Sequence, residues 1–258
     1  MTADSTAVNA ARFERQPISA RRPSRMGHWW LRNRWENLAF VHWAYEPEVV
    51  QALLPDGLEV DTFDGKAYVS LVPFEMRAAT PRLVPPLPWL SSFAETNVRT
   101  YVVDSDGNRA VWFFSLEADR LAIVAFARSL LGFPYVWSDL TVEAADGWRR
   151  YETWKRRWPR RPRSTTAVAI EIGDVIHEPD DLDHFLTARW GTVTQWPQQR
   201  GPLRHHPVDH PAWELRRAAL YEYHDESFQA AGLPAPTGVP IVRWVETIDA
   251  FFGRPTRV

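Results

Sequence analysis

The 258-residue chain contains no cysteine, which excludes disulfides, thiolate nucleophiles, thiolate-bound metals and cysteine-ligated iron–sulfur clusters. Lysine is almost as scarce. Lys66 and Lys155 are the only two, and every other basic side chain belongs to arginine or histidine. No apolar run approaches the length of a membrane span, and the first 25 residues hold neither the apolar region nor the cleavage-like site of a secretory signal. We therefore expect a cytoplasmic protein with no membrane partner. A strong charge of either sign is lacking too: a net charge of -2 exerts no global pull toward nucleic acid or an anionic surface. No internal repeat is visible. Tryptophan, by contrast, is abundant. Fourteen of them, each a large apolar surface with one N–H, suit a thick core or a lined pocket.

Residues 1 to 25 are polar, arginine-rich and non-periodic, the pattern of a disordered lead-in to a single domain over 26–258. "NLAFVHWAY" (37 to 45) is strand-like, and Pro47 opens a short helix that Pro55 ends. In "LEVDTFDGKAYVSLVPFEM" two β-rich runs flank the turn signal Asp64-Gly65, which predicts a hairpin with Lys66 exposed beside the turn. A proline-rich loop leads into "FAETNVRTYVV" (93 to 103), which "DSDGN" turns back into "RAVWFFSLEA". "DRLAIVAFARSLLG" predicts a helix capped by Asp119 and ended by Gly132. "YVWSDLTVEA" and "WRRYETWKRR" are strands joined by Ala145-Asp146-Gly147. "STTAVAIEIGD" is another strand, and "DDLDHFLTARW" a short amphipathic helix. Many hairpin-linked strands with few short helices predict a mainly β, α+β fold in which an antiparallel sheet closes or nearly closes.

Alternate side chains of a strand share a face. In "FAETNVRTYVV", Thr96, Val98, Thr100 and Val102 therefore point one way, and Glu95, Asn97, Arg99 and Tyr101 the other. Either the second set is solvated and unremarkable, or it lines an interior cavity with an acid, an amide, a base and a phenol in a row. His42, beside Trp43, fits a satisfied core histidine. "LRHHPVDHP" offers His205, His206, Asp209 and His210 as a minor metal alternative, zinc or iron. It lacks the helical two-histidine spacing, and its prolines favour an edge turn. "WKRRWPRRPR" (154 to 163) interleaves arginine with tryptophan, but no nucleic-acid motif accompanies it. A solvated hairpin end or a docking patch is the simpler account, with no nucleic-acid partner.

Three stretches, "AFVHWAYEPEVVQALLPDGLEVDTFDGKAYVSLVPF", "AETNVRTYV" and "ARSLLGFPYVWSDL", resemble the uncharacterised YqjF-like family of the acetoacetate-decarboxylase-like superfamily. "HPAWELRRA" (210 to 218) extends the resemblance, which runs from about residue 29 to the C-terminus. It implies an antiparallel β-barrel around an internal pocket. The strand similar to "FAETNV" carries a carboxylate into that pocket, a place Glu95 matches. The nearest counterpart of a site arginine ahead of the first strand is Arg34, at a different spacing. Arg128 matches an arginine of the decarboxylase motif "GRE". After the proline of "GFPY", where decarboxylases carry the Schiff-base lysine, stands Tyr135. A phenol cannot form an iminium with a keto group, so the resemblance implies the container without Schiff-base decarboxylation.

In such a pocket Arg99 would hold a carboxylate, Tyr135 would donate to an oxyanion, and Glu95 would move a proton once burial raised its pKa. The competing account is a buried Glu95–Arg99 ion pair with no functional role. Asn97 and Tyr101 would add polar contacts, and Arg128 either clamps an anion or braces the loop near Gly132. Three functions follow: a small-molecule-binding barrel for an anionic or carbonyl-bearing ligand, an acid–base enzyme of carbonyl or carboxylic-acid chemistry, or a protein-interaction scaffold. The sequence calls for no cofactor, and the related decarboxylases suggest a homo-oligomer.

Overall fold

A computed structural model describes residues 14–87, 89–197 and 200–258. Along it run β1 (Trp29–Tyr45), α1 (Pro47–Gln51), β2 (Glu59–Val60), β3 (Ala67–Pro81), β4 (Phe93–Val103), β5 (Arg109–Ala118) and α2 (Leu121–Phe126). There follow β6 (Tyr135–Ala145), β7 (Trp148–Trp158), β8 (Thr166–Val175), α3 (Asp181–Thr187), β9 (Gly191–Gln195) and β10 (Leu203–Asp209). The chain ends with β11 (Arg216–Asp225), α4 (Ser227–Ala230), β12 (Ile241–Gly253) and β13 (Thr256–Arg257).

All these strands belong to one sheet, in the order β13-β10-β9-β5-β6-β7-β8-β11-β12-β1-β3-β4-β2. Two further pairings, β10 with β12 and β5 with β4, join distant parts of that order, so the strands form a ring around an interior. The pairings are antiparallel except where β5 meets β6 and β9. Parallel neighbours need a crossover, and the segment between β5 and β6, with α2 in it, supplies one. Apolar clusters pack on both faces of the sheet. One, on the face opposite the cavity inside the ring, is built around Trp43, Leu71, Tyr151 and Phe228, and the other, against the cavity itself, around Phe40, Phe74, Phe93 and Phe133.

Several elements differ from the sequence expectation for identifiable reasons. β2 pairs with β4, through Glu59↔Val103 and Val60↔Val102, and not with β3. The Asp64-Gly65 turn therefore closes a single bridge, Phe63↔Lys66, with Lys66 outside and bonded to Glu46 at 2.6 Å. β1 begins at Trp29, well before the apolar run at 37. The helix expected over 119–132 is α2 followed by a π-helical turn, Ala127–Leu131, and Arg120 rather than Asp119 holds the N-cap, without a side-chain bond. Gly132 ends it in the left-handed region as expected, at φ 80°.

"LRHHPVDHP" is not an edge turn. It contains β10, which pairs with β9, β12 and β13, and all three histidines of the segment, two on β10 and His210 just after it, are buried. Residues 14–25, expected to be disordered, run along the body. Gln16 N–H donates to the Gly107 carbonyl at 2.9 Å, and Arg22 reaches the carbonyls of Trp190 and Val208 at 2.8 and 2.6 Å. The rest of that expected lead-in, 1–13, lies outside the described residues. No helix among the described residues is long and apolar enough to cross a membrane.

Candidate functional site

A cavity of about 360 Å³ opens inside the ring. Four alternate residues of β4, Phe93, Glu95, Asn97 and Arg99, line it, as the two-residue period of a strand requires when one face is interior. Its mouth lies between the β3–β4 loop and α2, where Val84, Leu87 and Phe126 both line the cavity and meet solvent.

Glu95 is buried at 3% exposure, and the Tyr135 hydroxyl donates to its Oε2 at 2.7 Å. Tyr135 reaches it because β6 runs parallel to β5, which is the neighbour of β4. Burial pushes the Glu95 carboxyl up to about 7, while the Tyr135 hydroxyl and the Asn97 amide pull the other way. Desolvation, together with the Glu95 charge, holds the Tyr135 phenol well above its ordinary value. The pair thus holds one titratable proton near neutrality, beside a hydroxyl that stays protonated.

The far end of the cavity is cationic. Arg99 donates one long bond, 3.4 Å, to the Leu186 carbonyl and lies over Phe40 at 5.1 Å. Its Nε is buried without a partner. Among the described residues it pairs with no carboxylate, so the Glu95–Arg99 ion pair is not formed. Arg189 stands nearby. Its Nη1 binds Asp61 at 2.6 Å, its Nε binds the Phe185 carbonyl at 2.8 Å, and its Nη2 is buried without a partner. Asp61 also accepts from Arg109 at 2.5 Å, so one carboxylate faces several guanidinium groups. Buried, incompletely paired cations attract an anion strongly.

Two histidines complete the lining. The carbonyl of Pro211 accepts from His210 Nδ1 at 2.7 Å, which leaves Nε2 as a bare acceptor, buried and unpartnered. The ring lies 4.4 Å from Trp190 and 4.5 Å from Trp213, and burial lowers its pKa to about 4. His206 Nε2 lies 2.8 Å from Thr194 Oγ1, with burial lowering its pKa to about 3. Both are neutral at pH 7.

The remaining sequence candidates lie elsewhere. Tyr101 sits beneath the cavity floor: its hydroxyl donates to the Leu186 carbonyl at 2.7 Å, and Arg189 covers its ring at 4.6 Å. Arg128 donates to the Tyr135 carbonyl at 2.6 Å and stacks over Trp158 at 5.6 Å, a brace outside the lining. Arg34 is exposed on β1 and pairs with Asp249 at 3.0 Å. His42 is core, bonded to Ser70 at 2.6 Å. His205 turns away from His206 and binds Asp104 at 3.0 Å. Among the described residues no three His, Asp or Glu side chains converge as a metal site would require. Neither Lys66 nor Lys155 lines the cavity. Arg189 escaped the sequence reading, although an arginine inside the apolar run "FLTARWGTV" was a usable signal.

"Uncharacterized protein YqjF" of Bacillus subtilis (strain 168) is 30% identical over 241 residues, covering 93% of this chain and 96% of that protein. An acetoacetate decarboxylase-like enzyme from Sphingomonas wittichii RW1 superposes with a TM-score of 0.60 at 15% identity, covering 92% of this chain and 96% of the other. The enduracididine biosynthesis enzyme MppR complexed with pyruvate superposes with a TM-score of 0.61 at 12% identity, covering 91% and 93%. The fold is thus acetoacetate-decarboxylase-like. The DUF2071 family, described as "Uncharacterized conserved protein", matches residues 32–249, and the chain belongs to that family.

Proposed function

We propose that the cavity binds an organic acid by its carboxylate, with Arg99 as the anchor and Arg189 beside it. The observation that carries this is the state of Arg99: a partly buried guanidinium lining the cavity, with a buried unpartnered Nε and, among the described residues, no carboxylate partner. Such a group is costly to keep in the ligand-free protein, and a bidentate carboxylate satisfies it. Pyruvate in the MppR complex is in keeping with an acid ligand in this fold.

A thermal-shift panel of keto acids, hydroxy acids, aldehydes and aromatic acids tests it, on the parent and on Arg99→Gln. A ligand at about a hundred times its Kd adds roughly 2.7 kcal/mol of stability. Acids should stabilise the parent and not the variant, while the ligand-free variant should melt no lower than the parent because a desolvated charge has been removed. Equal shifts in both proteins would sink the proposal.

Glu95 favours a second reading, in which the bound acid reacts. A carboxyl with a pKa of about 7 can give a proton to a carbonyl oxygen or accept one from an adjacent carbon, and the Tyr135 hydroxyl stabilises oxyanion character nearby. Turnover of any acid the panel identifies should vanish in Glu95→Gln while binding persists. Turnover at the parental rate in that variant would remove Glu95 from the chemistry.

A further inference from the structure

The cationic groups of the cavity lie at its inner end, and apart from the Glu95–Tyr135 pair and the small polar side chains of Asn33, Thr80 and Ser91 the walls from there to the rim are apolar. From this we infer that the ligand is a monocarboxylic acid with an extended apolar body, a medium-chain acyl or aryl group, rather than a compact keto acid. The inference rests on the proposed anchoring of an acid at Arg99.

The order of residues along β4 gives the cavity a direction. Phe93 adjoins the β3–β4 loop at the mouth, and Glu95, Asn97 and Arg99 follow inward. At about 3.3 Å per residue, Arg99 lies roughly 20 Å from Phe93 and roughly 13 Å from Glu95 along the strand. A carboxylate on Arg99 therefore leaves the rest of the ligand to run toward the mouth. The walls there are Trp35, Phe74, Met76, Leu131 and Phe133.

The rim is apolar as well. Val84, Leu87 and Phe126 line the cavity while 49%, 54% and 41% exposed. A contiguous exposed apolar surface at a cavity mouth marks a binding site, and a ligand that fills the mouth covers part of it. Volume points the same way. About 360 Å³ is more than twice the roughly 150 Å³ that admits benzene. An acid of three carbons would leave the apolar walls without contact partners.

Calorimetric titration of the full chain with linear acids from acetate to octanoate, with pyruvate, and with 1-octanol as the carboxyl-free control tests the inference. Each added methylene from butanoate to octanoate should tighten binding about fourfold. Arg99→Gln should weaken octanoate at least tenfold and leave 1-octanol unchanged. Phe126→Asp, at an exposed position that tolerates a polar side chain, should weaken octanoate at least tenfold and spare pyruvate.

Affinity that stays flat with chain length, while short acids bind in an Arg99-dependent way, overturns the apolar body and leaves acid binding standing. Octanoate and 1-octanol bound equally well by parent and Arg99→Gln overturns the anchoring of the acid itself. If none of the acids binds, both fall.

Discussion

Glu95 has the Tyr135 hydroxyl and the Asn97 amide as neighbours rather than a cation, so desolvation sets its titration and raises it from 4.5 to about 7. The sign of the stability effect follows directly. Between pH 4.5 and 7 the folded protein keeps a proton that the unfolded chain has released, so the contribution of Glu95 is present below about pH 4.5 and is lost as the pH rises to 7. Each unit costs about 1.4 kcal/mol at most. Glu95→Gln should therefore unfold like the parent at pH 4.5 and be more stable by about 2–3 kcal/mol at pH 8. Denaturant titrations at the two pH values measure this. Equal stability at pH 8 would mean that Glu95 is hydrated or ionised in the folded protein. Destabilisation of its own fold at neutral pH by a group on a wall facing a cavity supports the role proposed for Glu95 in binding or chemistry.

The mouth of the cavity depends on how the chain turns between β5 and β6. The turn Ala127–Leu131 widens to π-helical geometry and ends at Gly132 with φ 80°. A Cβ at Gly132 would stand 2.4 Å from the Gln195 carbonyl oxygen, so space and backbone conformation both demand glycine. Leu131, which lines the cavity, is tied to β9 by the Thr194 hydroxyl donating to its carbonyl at 2.9 Å. Gly132→Ala should lower stability by about 2 kcal/mol or more and weaken ligand binding with it; a loss below about 0.5 kcal/mol would show that the turn can shift. This element also marks how far local sequence carries. The glycine stop was legible because it follows an apolar helical stripe. The π-helical turn was not, since "AFARSLLG" has ordinary helical spacing and the widening comes from packing against β9. The two faces of β4 were legible because a strand has a strict period of two, but which of them lines the interior was indicated only by the family resemblance. Arg189 was legible only as an arginine within an apolar run; its pairing with Asp61, 128 residues away, was not. β10 was not legible because Pro207 and the nearby Pro211 suggest a turn, whereas Pro207 lies within the strand opposite Gly191 of β9.

At the scale of the whole molecule, a ring of strands is shared with enzymes only 12% and 15% identical, so what is common to them is the container. By its resemblance to the decarboxylases this chain would carry a lysine at position 135, and it carries a tyrosine bonded to Glu95. Its two lysines lie outside the cavity. Glu46 hydrogen-bonds Lys66 and raises its pKa, holding the ammonium protonated and non-nucleophilic. Incubation with pyruvate and borohydride should therefore leave the intact mass of the parent unchanged, because neither lysine is buried in the cavity to condense with the ketone, lose water and be reduced to a secondary amine. Tyr135→Lys supplies one. Burial beside an apolar wall lowers a lysine pKa and leaves part of the amine unprotonated. The variant should therefore gain the mass of one reduced adduct. A stoichiometric adduct on the parent would mean that a lysine enters the cavity after all. Failure of Tyr135→Lys to trap pyruvate, in a variant that melts like the parent, would mean that position 135 is not where an amine meets the ligand.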